Sequence, residues 1–178
     1  MKLSLSLAVG NYDRTRALVD GRVQIDGVHP AIMTLSPEEM FFRAFRHADF
    51  DITELSLSSY AVSLANGANR YLALPIFLSR AFRHSSIYVT HESGIETPEQ
   101  MRGKRIGIAE YQLTANIWAR ALLEDDFGVS PPEILWVRGG MDSPVRPEKL
   151  LLDLPSDLKV EAVAAGETLN QLLMDGKI

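Results

Sequence analysis

Apolar and polar positions change period repeatedly along the chain, and the changes mark its elements. Leu3, Leu5 and Leu7 alternate with Ser4 and Ser6, the period-two pattern of a strand with its leucines on one face. Tyr12 to Val19 follows as a short helix stopped at Gly21. Ala31 to Leu35 reads as a second strand. Ser36-Pro37-Glu38-Glu39 is a helix start, with Ser36 as N-cap, Pro37 in the first helical position and Glu39 closing a capping box. Met40, Phe41, Ala44, Phe45 and Ala48 then fall on one helical face. Phe50 to Leu55 is the next strand, and Ser58 to Ala65 a helix ending near Gly67. The apolar runs Tyr71 to Leu78 and Ser86 to Thr90 read as two further strands.

The second half repeats the logic. Thr97-Pro98-Glu99-Gln100 opens a short helix, capped by Thr97 with Gln100 as its partner and stopped at Gly103. Arg105 to Ala109 is a strand. Thr114 to Phe127 is a helix with Ala115, Trp118 and Leu122 on one face, ended by Gly128. Ile134 to Val137 is a strand, Gly139 to Pro147 a Gly- and Pro-rich loop, Val160 to Val163 a strand and Glu167 to Met174 a helix. Strands alternating with helices predict an α/β protein with mainly parallel sheets covered by helices. The junction near Arg83 is the best boundary, giving a first α/β lobe over 1–84 and a second over 85–178.

Composition narrows the function classes. The chain has 178 residues, 46% hydrophobic and 23% charged, ordinary values for a soluble globular protein. A net charge of −5 and the lack of a Lys/Arg block argue against nucleic acid or an anionic membrane as the main partner. No apolar run is long enough to span a bilayer. The first residues carry one cation and no small-residue cleavage site before Asn11-Tyr12-Asp13-Arg14, so a secretory signal is not expected and the cytoplasm is the expected compartment. The absence of cysteine excludes disulfides and thiol chemistry.

The densest chemistry lies in Arg80-Ala81-Phe82-Arg83-His84-Ser85, where two arginines and a histidine sit between apolar runs. Buried cations need partners, and a carboxylate-rich small molecule would be one. A solvated loop is the alternative. Ligands of open α/β sheets bind beyond the carboxyl ends of strands, often at helix N-termini. That rule also selects Gly10 to Arg14, Glu54-Leu55-Ser56 and Tyr111-Gln112-Leu113-Thr114. If the lobes face each other, the four segments converge on one cleft. Asp13 and Thr114 can equally be helix caps, and Arg14 a solvated helix residue. Glu54, among apolar neighbours, must be paired or shifted in its titration. His47, Asp49 and Asp51 match no metal-ligand spacing and read as a turn, while His29 and His91 read as surface residues. Walker A, Gly-x-Gly-x-x-Gly, His-Glu-x-x-His and Gly-x-Ser-x-Gly patterns are all absent.

Several of these segments resemble the 4,5-dihydroxyphthalate decarboxylase family. They are Gly10-Asn11-Tyr12-Asp13-Arg14-Thr15, Glu54-Leu55-Ser56, Arg80 to Ser85, Gly103-Lys104-Arg105-Ile106-Gly107 and Tyr111-Gln112-Leu113-Thr114-Ala115. The Arg-Ala-Phe-Arg-His-Ser run is the more specific of them. The Gly-Lys-x-Ile-Gly strand entry is shared widely among solute-binding proteins. The resemblance covers almost the whole chain and implies a two-lobed fold like that of type II periplasmic binding proteins. Family members run on beyond Ile178, so the lobes are expected to be incomplete and the chain truncated, with self-association through exposed sheet edges.

The resemblance implies non-oxidative loss of CO₂ from a hydroxylated aromatic dicarboxylate. Arg14, Arg80 and Arg83 would clamp carboxylates, which suits the guanidinium fork. His84 would protonate the ring carbon, and Glu54 would take a phenolic proton. Asn11, Ser56, Ser85, Gln112 and Thr114 would hydrogen-bond the substrate. A small aromatic carboxylate is the expected partner, with no cofactor and no metal site expected. The alternatives are a non-catalytic binder of small organic anions on the same fold and a related enzyme of thiamine pyrimidine synthesis. The latter lacks a matching Cys/His-rich motif here.

Overall fold

The computed structural model describes residues 1–143 and 147–178. The chain divides into two compact units, Met1–Ala81 and Phe82–Ile178. Each is α/β and holds one three-stranded, fully parallel sheet.

In the first unit β1 (Leu3–Val9) lies between β2 (Val28–Thr34) and β3 (Ile52–Thr53). Leu3 pairs with Val28 and Val9 with Thr34, while Leu7 and Ala8 pair with Ile52 and Thr53. Burial along β1 therefore rises rather than alternating. Leu3 and Ser4 are exposed, and Leu7, Ala8 and Val9 are all buried. A middle strand of a parallel sheet is covered on both faces, which overrides the Leu/Ser alternation.

A 3₁₀ turn, Asp13–Thr15, runs into α1 (Arg16–Val19), with Gly21 in the left-handed region after it. Helix α2 (Pro37–His47) starts where expected, and Ser36 Oγ accepts a hydrogen bond from Glu39 N at 3.4 Å. Its Met40 and Ala44 pack with Ala8 and Phe50 to form the core, joined by Phe41, Leu55 and Tyr71. Ala48 closes the helix at φ 54°, a left-handed conformation usually taken by glycine. Helix α3 (Leu57–Ala65) follows.

Two expected strands of the first half are not strands. Tyr71 to Leu78 is irregular, and Leu72 is 88% exposed. Ser86 to Thr90 likewise pairs with no described strand, and its first residue closes a 3₁₀ turn, His84–Ser86. An apolar run becomes a strand only when a ladder partner satisfies its backbone, and none is present among the described residues. For the same reason β3 is two residues long rather than six.

The second unit is built on β4 (Arg105–Ile108), β5 (Leu135–Arg138) and β6 (Lys159–Ala162), in that spatial order. A 3₁₀ turn, Pro98–Met101, keeps the expected box, with Gln100 Oε1 accepting from Thr97 N at 3.0 Å. Helix α4 (Thr114–Phe127) has the expected bounds, ended by Gly128 at φ 66°. Its buried face is not Ala115–Trp118–Leu122. Arg120 and Leu123 are buried and Trp118 is 57% exposed. Arg120 can take the inward position because its guanidinium lies 3.7 Å from the Tyr111 ring centroid and 5.7 Å from that of Trp136. The core gathers Met101, Ile108, Tyr111, Leu123, Val129, Ile134 and Trp136. Helix α5 (Leu169–Met174) is capped by Thr168. The expected loop from Gly139 to Pro147 lies partly outside the described residues.

Candidate functional site

In the first unit the polar side chains gather beyond the carboxyl ends of β1 and β3, where parallel sheets place ligands. Gly10 follows β1, and Glu54 follows β3 with its backbone N–H bonded to Ala8 O at 3.1 Å. The two Glu54 oxygens are both engaged. Oε2 accepts from Gly10 N at 3.3 Å, and Oε1 accepts from the Tyr12 hydroxyl at 3.1 Å.

Tyr12 is itself held from behind. Its N–H donates to Gly10 O at 3.0 Å and to Thr15 Oγ1 at 3.2 Å, and the buried Thr15 hydroxyl donates back to Gly10 O and Tyr12 O, both at 3.0 Å. The ring lies directly over Gly10. A Cβ there would sit 2.4–2.6 Å from the outer atoms of the ring, so any other residue at this position must push the tyrosine aside. Burial raises the Tyr12 phenol above its ordinary value, and the Glu54 charge and hydrogen bond raise it further, against smaller opposing effects of Ser79 and Arg14. Tyr12 is therefore a protonated donor at neutral pH.

Arg14 completes the cluster. Its guanidinium stands 4.7 Å from the Tyr12 ring centroid, meets Asp13 Oδ1 at 3.4 Å and donates from Nε to Leu78 O. Phenol, carboxylate and half-exposed guanidinium thus lie side by side. Of the expected residues, Glu54 and Arg14 are brought together here, through a tyrosine to which the sequence reading gave no role. Asn11 is turned to Arg16, whose Nη2 donates to Asn11 Oδ1 at 2.9 Å. Ser56 is buried at the start of α3 with its hydroxyl 3.3 Å from that of Ser58. Arg80 is exposed, 5.5 Å from the Phe77 ring centroid.

In the second unit Arg83 and His84 line a hollow of about 250 Å³ whose wall is largely apolar, with Ile87, Ile95, Met101 and Phe127 among its residues. His84 Nε2 lies 3.8 Å from Asp126 Oδ2 on α4, and both side chains are more than half exposed. Ser85 is exposed beside them. Thr114 opens α4. Gln112 is buried, and its Nε2 donates to Glu110 Oε2 at 3.0 Å. Glu110 also forms a buried ion pair with Lys149, and its backbone carbonyl accepts from Asn116 Nδ2 at 2.7 Å. Alongside, Arg138 meets Glu148 at 3.4 Å. The Lys149–Glu110–Gln112 network escaped the sequence reading. Lys149 lies 39 residues from Glu110, beyond the reach of local pattern.

The His47–Asp49–Asp51 segment is tied up internally. Asp49 accepts from Arg43 Nε at 2.8 Å, and Asp51 Oδ2 accepts from Ser6 N at 2.8 Å and Ser6 Oγ at 2.7 Å. Among the described residues no three His, Cys, Asp or Glu side chains gather as a metal site, and no helix is long and apolar enough to cross a membrane.

The class that the structure defines is a parallel α/β protein, with acid, phenol and guanidinium groups gathered beyond the strand ends of its first unit. No family model matches it. A 4,5-dihydroxyphthalate decarboxylase of Comamonas testosteroni is 57% identical over 177 residues, covering 99% of this chain and 54% of that protein. One of Pseudomonas putida is 56% identical over 177 residues, covering 99% of this chain and 69% of that protein. The chain thus spans about half the length of the first relative and just over two thirds of the second. It belongs to the 4,5-dihydroxyphthalate decarboxylase family.

Proposed function

We propose that the protein removes CO₂ from a hydroxylated aromatic dicarboxylate such as 4,5-dihydroxyphthalate. The observation that carries this reading is identity of 56–57% over 177 residues to two proteins of that name. In the reaction the bond from ring to carboxylate breaks, CO₂ departs, and the electron pair stays on the ring carbon until a proton replaces the lost group. A catechol hydroxyl that gives its proton to a base pushes electron density toward that carbon, and an acid then protonates it.

Two clusters hold residue types that this chemistry uses. In the first unit Glu54 is the base for a phenolic proton and Arg14 a carboxylate partner. In the second, the hollow offers an apolar wall for an aromatic ring, Arg83 for a carboxylate and His84 as a proton donor. We assign no cofactor to these steps. The same reading takes each unit as a lobe of a fold like that of type II periplasmic binding proteins and places the protein in the cytoplasm.

The test is to incubate the chain with 4,5-dihydroxyphthalate and follow CO₂ and 3,4-dihydroxybenzoate, with calorimetric binding in parallel. Release of both in equal amounts supports the reading. Binding without CO₂ identifies a non-catalytic binder of organic anions instead.

A further inference from the structure

We infer that Tyr12 is the positioning residue of Glu54, its hydroxyl fixing the carboxylate in the orientation from which it takes a phenolic proton. The inference deepens the proposed function and rests on it for the identity of the proton.

A carboxylate on an isolated side chain can turn about its last torsion, which is broad. Here two donors on different sides remove that freedom, Gly10 N–H on Oε2 at 3.3 Å and Tyr12 O–H on Oε1 at 3.1 Å. Each carboxylate oxygen has further accepting capacity, so both can still receive a substrate hydroxyl. The tyrosine is placed for this by its surroundings. Its backbone is bonded to Gly10 and Thr15, the outer end of its ring rests on Gly10, where a side chain would displace it, and the Arg14 guanidinium lies 4.7 Å from the ring centroid. The charged groups acting on the phenol are Glu54, from the segment after β3, and Arg14, from the turn after β1. Arg14 is in turn paired with Asp13. Tyr12 keeps its own proton throughout, and the substrate's phenolic proton passes to Glu54.

The test has two arms. In the first, with ring-carbon-labelled tyrosine, the Tyr12 resonance is titrated by NMR in the parent chain and in Glu54→Gln. Removing the charge should move the Tyr12 titration to lower pH, and an unmoved titration overturns the contact. In the second, Tyr12→Phe keeps the ring over Gly10 and deletes only the hydroxyl. A mis-aimed catalytic group can lose about 100-fold in rate, so kcat for CO₂ release should fall by up to that factor with KM little changed. A merely structural tyrosine would move kcat and KM together, and that result or an unchanged kcat overturns the assignment. If the parent releases no CO₂, the decarboxylase reading fails, while the NMR arm still decides whether Tyr12 holds Glu54.

Discussion

Lys149→Met in the second unit isolates the energetics of one buried charge. The Lys149 side chain is 3% accessible and that of Glu110 is 11%. Methionine keeps most of the apolar stem and deletes the ammonium, leaving Glu110 with Gln112 but no counter-charge. Breaking a buried pair from one side costs about 3–5 kcal/mol, because the remaining charge is uncompensated. With a urea m-value of about 2 kcal/mol per M, the midpoint should drop by about 1.5–2.5 M. Tryptophan emission reads this unit alone, since the chain has two tryptophans and both, Trp118 and Trp136, lie within Phe82–Ile178. Trp136 is buried, so its emission should shift red on unfolding. The double variant Lys149→Met/Glu110→Gln leaves no unpaired charge and should recover more than half of the loss. A cost for Lys149→Met under about 1 kcal/mol is what a solvated surface pair would give, and it would refute the argument from burial.

Other expectations follow from single contacts. Gly10→Ala drives a methyl group into the Tyr12 ring and should reduce CO₂ release in the parent. In a Tyr12→Ala background the same change should add little, as a double-mutant cycle would show. Ala48→Gly relieves the left-handed backbone at φ 54° and should raise the stability of the first unit by about 0.5–1 kcal/mol in urea unfolding followed by far-UV circular dichroism. The Ser6 N–H and then the Ser6 hydroxyl hold the Asp51 carboxyl below the ordinary aspartate range. Its contribution is therefore present above the ordinary value near pH 4 and lost as pH falls through the lower folded value. Asp51→Asn should flatten that part of an acid titration, and an unchanged curve would count against the link. His84→Ala should reduce kcat more than it raises KM, and Arg83→Ala the reverse. Equal changes in both parameters for His84→Ala would remove its role as acid.

Local chemistry was legible wherever it suffices. The Ser36-Pro37 start, the Thr97/Gln100 box and the ends of α4 at Thr114 and Gly128 depend on neighbours within a few residues. Strand existence depends on partners far away. Tyr71 to Leu78 has the composition of a strand and no ladder, whereas Lys159–Ala162 is one because Leu135–Arg138 lies beside it. The buried face of α4 differs from Ala115–Trp118–Leu122 because two aromatic rings make the burial of Arg120 tolerable. At the first site Glu54 and Arg14 were visible as isolated charges. Tyr12 was not, because an aromatic beside a turn signals nothing until its hydroxyl is seen to reach a carboxylate 42 residues on.

The first strand in the chain is also the middle strand of its sheet. Val28–Thr34 and Ile52–Thr53 do not touch each other in the ladder; each is hydrogen-bonded to β1. During synthesis, then, β1 is made before either of the strands that pair with it. Excision of Leu3–Val9 would not trim an edge. It would remove the seam on which both flanking strands depend and release the backbone atoms that carry Gly10 and Tyr12 to their places.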